Sequence, residues 1–398
     1  MADVSDIRDI NQALFLHLIR EQQPVSRADI AKQTGLSPGT VSAIVSRLIR
    51  TGLVVEGTEG PSTGGRPPRF LQINAESHYV LGIDIGVSDT VIAISDFNGH
   101  IVQQRSMITE GDAKAFLKAL GDEVAIMLRS KHRQTRFGGI GVSVPGLIDR
   151  ETGTLETSPN LGWEDVPVRR VLSQRFGLPV FVENDANAAA FSEFWYGPLQ
   201  EARVKNLLFV LVVEGVGTGL ILNGELHVGS RHGLGGFGHM SIDPSGELCS
   251  CGRRGCWESF VSDRATVDRY LRVTARHGAK VPTVRELASA ALKGDDRARE
   301  CLIITAEYLG EGISNLAHGI FPETIVVGGD ITAAWSFVEP AIKARLRSRY
   351  IISPDQITVR PASMERPSLY GAIPIALQNS ISSLAGMSPI SEVFPQPE

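Results

Sequence analysis

Cysteine is scarce in this chain of 398 residues: there are 4, and three of them lie between Cys249 and Cys256. No apolar stretch approaches the ~18–20 residues that a membrane-spanning helix needs. Basic residues hold no surplus either, since 39 Lys and Arg stand against 44 Asp and Glu, a formal net charge of -5. Bulk electrostatics therefore does not draw the whole protein to a polyanion, and any nucleic-acid contact has to come from a local patch. The opening MADVSDIRDINQ is acidic and lacks an apolar run, so it reads as neither a signal peptide nor an anchor. These absences point to the cytoplasm. Thiols stay reduced there, and a tight cysteine cluster reads as a metal site before a disulfide.

What is present is apolar residue at 42%, enough to bury real cores in a chain longer than one compact core usually holds. Three textures follow one another. Residues 1–60 spell helix, helix, tight turn, helix, strand. Leu14, Phe15, Leu18 and Ile19 are spaced for one helix face. Ser26 and Gly35 bracket a second helix as N-cap and stop. Ser37 as N-cap, Pro38 in the first turn and Gly52 at the end bracket a third, with Val41, Ile44, Val45, Leu48 and Ile49 on its apolar face. This is the order of a winged helix-turn-helix. Residues 61–72, PSTGGRPPRFLQ, are a Gly- and Pro-rich linker or the tip of a wing. Residues 73–398 alternate buried strands, Gly-rich turns and helices in two similar halves, the second starting near Asn206. That predicts two α/β lobes with a ligand cleft between them.

In a helix-turn-helix the second helix of the motif presents its N-terminal residues to the base edges. Here those positions are Ser37, Gly39, Thr40 and Ser42, with Ser46 and Arg47 one to two turns on. Arg47, Arg50, Arg66 and Arg69 are candidates to neutralise phosphates. GGRPP would also let Arg66 lie in a narrow minor groove, or it is a plain flexible linker.

His239, Cys249, Cys251 and Cys256 give the spacing H-x9-C-x-C-x4-C. Three thiolates and one imidazole suit a closed tetrahedral Zn2+ site in the loop 239–256, structural because no coordination position stays open. Gly252 and Gly255 let the chain turn tightly around the ion. Cys301 stands alone and reads as core.

The run CSCGRRGCWE resembles the signature of the ROK family of sugar kinases and sugar-responsive repressors, almost position by position. The resemblance covers about Val80 to Leu377, and the N-terminal motif and STGGRPPRF are similar to the family's repressor branch, the xylose, glucose and N-acetylglucosamine regulators. It implies a two-lobed, actin-like (ribonuclease H-like) kinase fold behind the winged helix-turn-helix. It also implies a sugar site at Asn160, Asn184, Asp185, His239 and Glu258. Asp185 takes the general-base position of the family's kinases, and His239 serves both metal and sugar. The loop pattern departs at Gly236, where the family carries Glu.

The phosphate loops depart further. DIGVSD places Asp89 where the family has Lys, and VEGVGTG places Val213 and Glu214 where it has Gly-Thr; VVGGD resembles the nucleotide-side Gly-Gly turn, but the position after its glycines, Asp330, is acidic too. Added carboxylates oppose a polyphosphate. The resulting expectation is a regulator, not an enzyme. Its partners are operator DNA and a sugar or sugar derivative, and it works as a homodimer or homotetramer with no membrane contact. The alternatives are a bifunctional ATP-dependent sugar kinase and a regulator controlled by a protein partner.

Overall fold

The computed structural model describes residues 15–16, 18–20, 22–59, 67–129, 136–196, 204–228, 236–274, 281–349 and 357–384. Leu14 and Arg66 therefore lie outside the described residues. The N-terminal head follows the caps its sequence carries. Ser26 accepts the N–H of Asp29 while the Asp29 carboxylate takes the N–H of Ser26, a reciprocal cap that starts the helix Arg27–Thr34. Gly35, at φ 68°, ends that helix. Ser37 accepts the N–H of Thr40 and opens the helix Pro38–Arg50, whose Val41, Ile44, Val45 and Leu48 are buried. Phe15, Leu16 and Ile19 of the preceding helical segment belong to the same apolar cluster.

The composition of residues 61–72 suggests a linker or the tip of a wing, and Arg69–Ile73 is a strand at the centre of the head's sheet. It pairs antiparallel with Val54–Glu59 on one side and with Val25–Ser26 on the other. Leu71 and Ile73 alternate inward, a period the neighbouring Gly and Pro residues obscured. The two longer strands form the wing, and the head's sheet extends to Ile73.

The remainder is a duplicated α/β architecture. In the first lobe, Tyr79–Ile85 is central. Asp89–Asp96 and Ile101–Ile108 add antiparallel on one side, Phe137–Val144 and Val180–Asn184 parallel on the other. The second lobe repeats that order and sense. Leu207–Val212 is central, Val216–Leu222 and Glu225–His227 lie to one side, and Thr324–Gly328 and Thr358–Pro361 to the other. The second half does begin near Asn206. A three-stranded meander, Leu147–Asp149, Thr154–Ser158 and Trp163–Val166, is attached to the first lobe and carries Asn160 in its second turn. Two helices cross between the lobes. Asp185–Tyr196 packs Ala186, Ala189 and Ala190 against the second sheet, and Pro367–Leu384 shares its apolar cluster with the head. No helix among the described residues is long and apolar enough to cross a membrane.

Candidate sugar cavity and metal loop

A cavity of about 790 Å³ opens between the lobes. Asn160, Asn184, Asp185, His239 and Glu258 all line it, although 98 positions separate the first from the last in sequence, 258 less 160. Local chemistry aims each of them. Asn184 ends a strand, donates from Nδ2 to the Gly146 carbonyl, and accepts the N–H groups of Ala186 and Asn187 on Oδ1, which caps the helix begun by Asp185. Glu258 is buried. Its Oε2 accepts the N–H of Val216, and its Oε1 accepts the Ser250 hydroxyl at 3.3 Å. Carboxylates and amides fixed in this way can fork hydrogen bonds to neighbouring hydroxyls. Gly236 also lines the cavity, and a Cβ there would meet nothing within 4 Å.

The metal loop abuts this end of the cavity. The donor atoms of His239, Cys249, Cys251 and Cys256 lie within 4.8 Å of one another. Cys249 and Cys256 are buried, and Cys251 Sγ stands 3.6 Å from Cys256 Sγ. Gly252 and Gly255 have φ of 83° and 65°, and a Cβ on Gly255 would collide with the Asp243 carbonyl. Burial first, then the adjacent Cys251 and Cys249, raises the pKa of the Cys256 thiol. Three converging sulfur donors and an imidazole fit a divalent metal ion. Trp257, fully buried and donating Nε1–H to the Tyr308 carbonyl, pins the loop to the second lobe's core.

At the other end the expected acidic phosphate loops are present, and the protein satisfies them itself. Arg366 Nη2 lies 2.5 Å from Asp89 and its Nη1 3.9 Å from Asp84. The Ser88 hydroxyl donates to Glu214 at 2.8 Å, joining the two lobes directly. Arg285 grips Asp330 at 2.8 Å and Glu365 at 3.0 Å. Both arginines lining the cavity are thus paired with its carboxylates. Arg285, Arg366 and Asp263 were not foreseen. Nothing local in SDRA, TVRE or MERPSLYG marks them, because the groups they face are far away in sequence.

Burial pushes Asp84 up to about 7, with Asp185 and Asp89 adding to the rise and Arg366 opposing it. Burial also lifts Asp185 to about 6 and Asp263 to about 7, with Glu214 a contributor in both cases. An unfolded Asp titrates near ~3.9. The folded state therefore holds these protons longer than the unfolded chain does. The stabilising contribution is complete below pH ~4 and is lost as pH rises through about 6–7. Denaturation of wild type and Asp84→Asn from pH 5 to pH 8 is expected to show wild type losing stability relative to the variant as pH rises; parallel profiles would refute this.

On the head, Gly39, Thr40, Ser42 and Ser46 are exposed and Arg47 is half-buried. The Ser37 hydroxyl caps the helix and lies 2.9 Å from the Thr40 hydroxyl, so both are partly engaged at home. Arg69 pairs with Glu56 at 3.2 Å and Glu59 at 3.9 Å, within the wing.

A lobe-duplicated kinase-like fold with a Cys3His loop, carried behind a winged head, defines a class, and sequence comparison assigns it. The chain belongs to the ROK family, whose profile matches residues 80–379, and the MarR family profile matches residues 5–64. The xylose repressor of Caldicellulosiruptor bescii is 35% identical over 338 residues, covering 81% of this chain and 83% of that protein. A crystal structure of a ROK family transcriptional regulator, a homologue of the E. coli MLC protein, superposes with a TM-score of 0.82 at 27% identity, covering 95% of this chain and 98% of that one. The ROK family glucokinase of Streptomyces griseus, solved with glucose and AMPPNP, gives 0.68 at 27% identity over 75% of this chain and 99% of its own. Both the repressor and the kinase are thus kin, and the kinase match covers the smaller share of this chain.

Proposed function

We propose that this protein is a transcriptional repressor of carbohydrate metabolism whose operator affinity is set by a sugar held between its lobes. The observation that carries this reading is one chain joining a capped helix with an exposed N-terminal face to a cavity lined by amides and carboxylates, whose own ion pairs engage its arginines. Gly39, Thr40, Ser42 and Ser46 would approach base edges, and Arg47 a phosphate. Asn160, Asn184, Asp185, His239 and Glu258 would hold the sugar hydroxyls. Zn2+, held by His239, Cys249, Cys251 and Cys256, would keep His239 and Glu258 at their angles, a structural task.

In this reading the kinase reaction is lost. A nucleotide's phosphates need positioned cations. Here Asp89 and Glu214 stand in the loops, and the nearest guanidinium groups are already neutralised by carboxylates. Two heads in a homodimer or homotetramer would match half-sites about one helical turn, or a multiple, apart. A sugar that favours one lobe arrangement shifts operator affinity by its differential affinity for the two.

The test selects operator sequences from random DNA with the full-length, zinc-loaded protein. The selected site is then titrated by fluorescence anisotropy with and without xylose, glucose or N-acetylglucosamine, with ATP consumption followed in parallel. A sugar-dependent operator Kd with no ATP turnover is expected. Sugar-dependent ATP turnover would establish the bifunctional kinase instead, and selection of no DNA sequence would end the repressor reading.

A further inference from the structure

The helix Asp185–Tyr196 begins inside the cavity and ends against the DNA-binding head. Asp185 lines the cavity, and Asn184, another lining residue, caps the first turn through the N–H groups of Ala186 and Asn187 at 3.0 and 3.2 Å. Its alanine face rests on the second lobe's sheet, so it follows that lobe. Twelve helical residues at 1.5 Å each carry a displacement about 18 Å from one end to the other.

At the far end stands Trp195, only 6% exposed and packed 5.5 Å from Phe191 between ring centroids. The guanidinium carbon of Arg20 lies 3.4 Å from the centroid of the Trp195 ring, stacked on its face. Arg20 belongs to the head. Its neighbour Ile19 is fully buried in the cluster that holds Val41 and Val45 of the recognition helix. Three residues on, Gln23 accepts the N–H of Ile73 in the wing sheet at 2.9 Å.

A second helix runs beside the first. Pro367–Leu384 also starts at the cavity, where Pro367 and Ser368 line it, and its Leu369, Ile373, Ala376 and Leu377 share the head's apolar cluster. The two helices touch backbone to backbone: a Cβ on Gly371 would come within 1.8 Å of the Ala188 carbonyl oxygen. Tyr370 and Tyr196 meet edge-on at 5.9 Å. The pair is therefore closely packed along its length.

We infer that the Arg20–Trp195 stack is the joint through which the sugar cavity positions the DNA-binding head, with both residues acting as positioning residues. The apolar contacts around it are non-directional and tolerate sliding. The stack is a directional contact: a planar guanidinium on an indole face fixes both distance and tilt. This inference rests on the proposed function.

The experiment uses full-length, metal-loaded wild type, Arg20→Gln and Arg20→Lys, with xylose as probe and glucose and N-acetylglucosamine in parallel. Three quantities are read: operator Kd without sugar, operator Kd with saturating sugar, and the sugar-induced rise in Tm. Wild type is expected to change operator Kd by a factor in the usual range of about 5–150. Arg20→Gln is expected to bring that factor within about threefold of unity, a loss of most of the coupling. Its sugar-induced Tm rise stays, because the cavity is untouched. Arg20→Lys, which keeps the charge and loses the planar stack, is expected to fall between them. Hydrogen exchange at Pro38–Arg50 separates mispositioning from unfolding: protection is retained in all three proteins. A wild-type coupling factor in Arg20→Gln overturns the joint while leaving the repressor reading intact. Operator binding by wild type that no sugar alters overturns both together.

Discussion

Replacing Cys256 by serine is expected to empty the metal loop and abolish the response to sugar while leaving the second lobe folded. Cys256 is fully buried and close to Cys251, with the His239 and Cys249 donors also within 4.8 Å. Without a cation, that pocket holds a histidine and three crowded sulfur groups, and burial raises the pKa of the Cys249 and Cys256 thiols. Two residues beyond lies Glu258, and His239 is itself a donor of the cluster. Loss of the metal therefore frees the two cavity residues that the loop presents. Disturbing groups that orient a site in this way typically costs about 10–100-fold, and sugar affinity is expected to fall by at least that much. The global fold survives because Trp257 remains anchored in the lobe's core through its ring and its bond to Tyr308. Metal analysis of wild type is expected to give about one ion per chain, with little in Cys256→Ser. Calorimetry is expected to show the sugar-induced Tm rise vanishing. A variant that retains wild-type metal content and sugar affinity would remove the metal from the account.

The substitution Asp185→Asn is expected to move stability and sugar binding in opposite directions. Asp185 is buried at the start of its helix, and burial, with Glu214 adding, lifts its pKa to about 6. At pH 7.5 the protein without sugar therefore holds an ionised carboxylate at a cost, and a neutral amide of the same shape relieves it. The apo variant gains stability, and the gain shrinks as pH falls through 6, where the wild-type group protonates. A sugar hydroxyl donating to a charged acceptor contributes about 1.5–3 kcal/mol, so the variant loses roughly 10- to 150-fold in sugar affinity. Operator binding without sugar stays at the wild-type level, since the head is unchanged. Denaturation midpoints and isothermal titration read the two effects separately. An apo protein destabilised by the change, or one that binds sugar undiminished, contradicts the role given to this carboxylate.

Both arguments use residues that the sequence offers by type and spacing. The caps Ser26 and Ser37 and the stop at Gly35 were legible because a cap is settled within a few residues. The cluster of His239 and three cysteines was legible for the same reason: three cysteines within eight positions and a histidine nearby leave little for the fold to decide. The strand Arg69–Ile73 was not. Its pattern is only five residues long, and its partners at Val54–Glu59 and Val25–Ser26 exist only once the chain has turned back.

The phosphate side shows the same division. Asp89 and Glu214 were readable as carboxylates in unfriendly loops. Their engagement with Arg366 and Ser88 depends on contacts 277 and 126 residues apart. By itself the sequence determined the head, the duplicated α/β texture and the grouping of His239 with three cysteines, because each is written in local periodicity, caps or spacing. Only the tertiary structure decided that the cavity's arginines are already paired, and that Trp195 of a cavity-born helix meets Arg20 of the head. Such contacts form between residues far apart in sequence, so their geometry is set by how lobes, helices and head pack and not by any short stretch of chain.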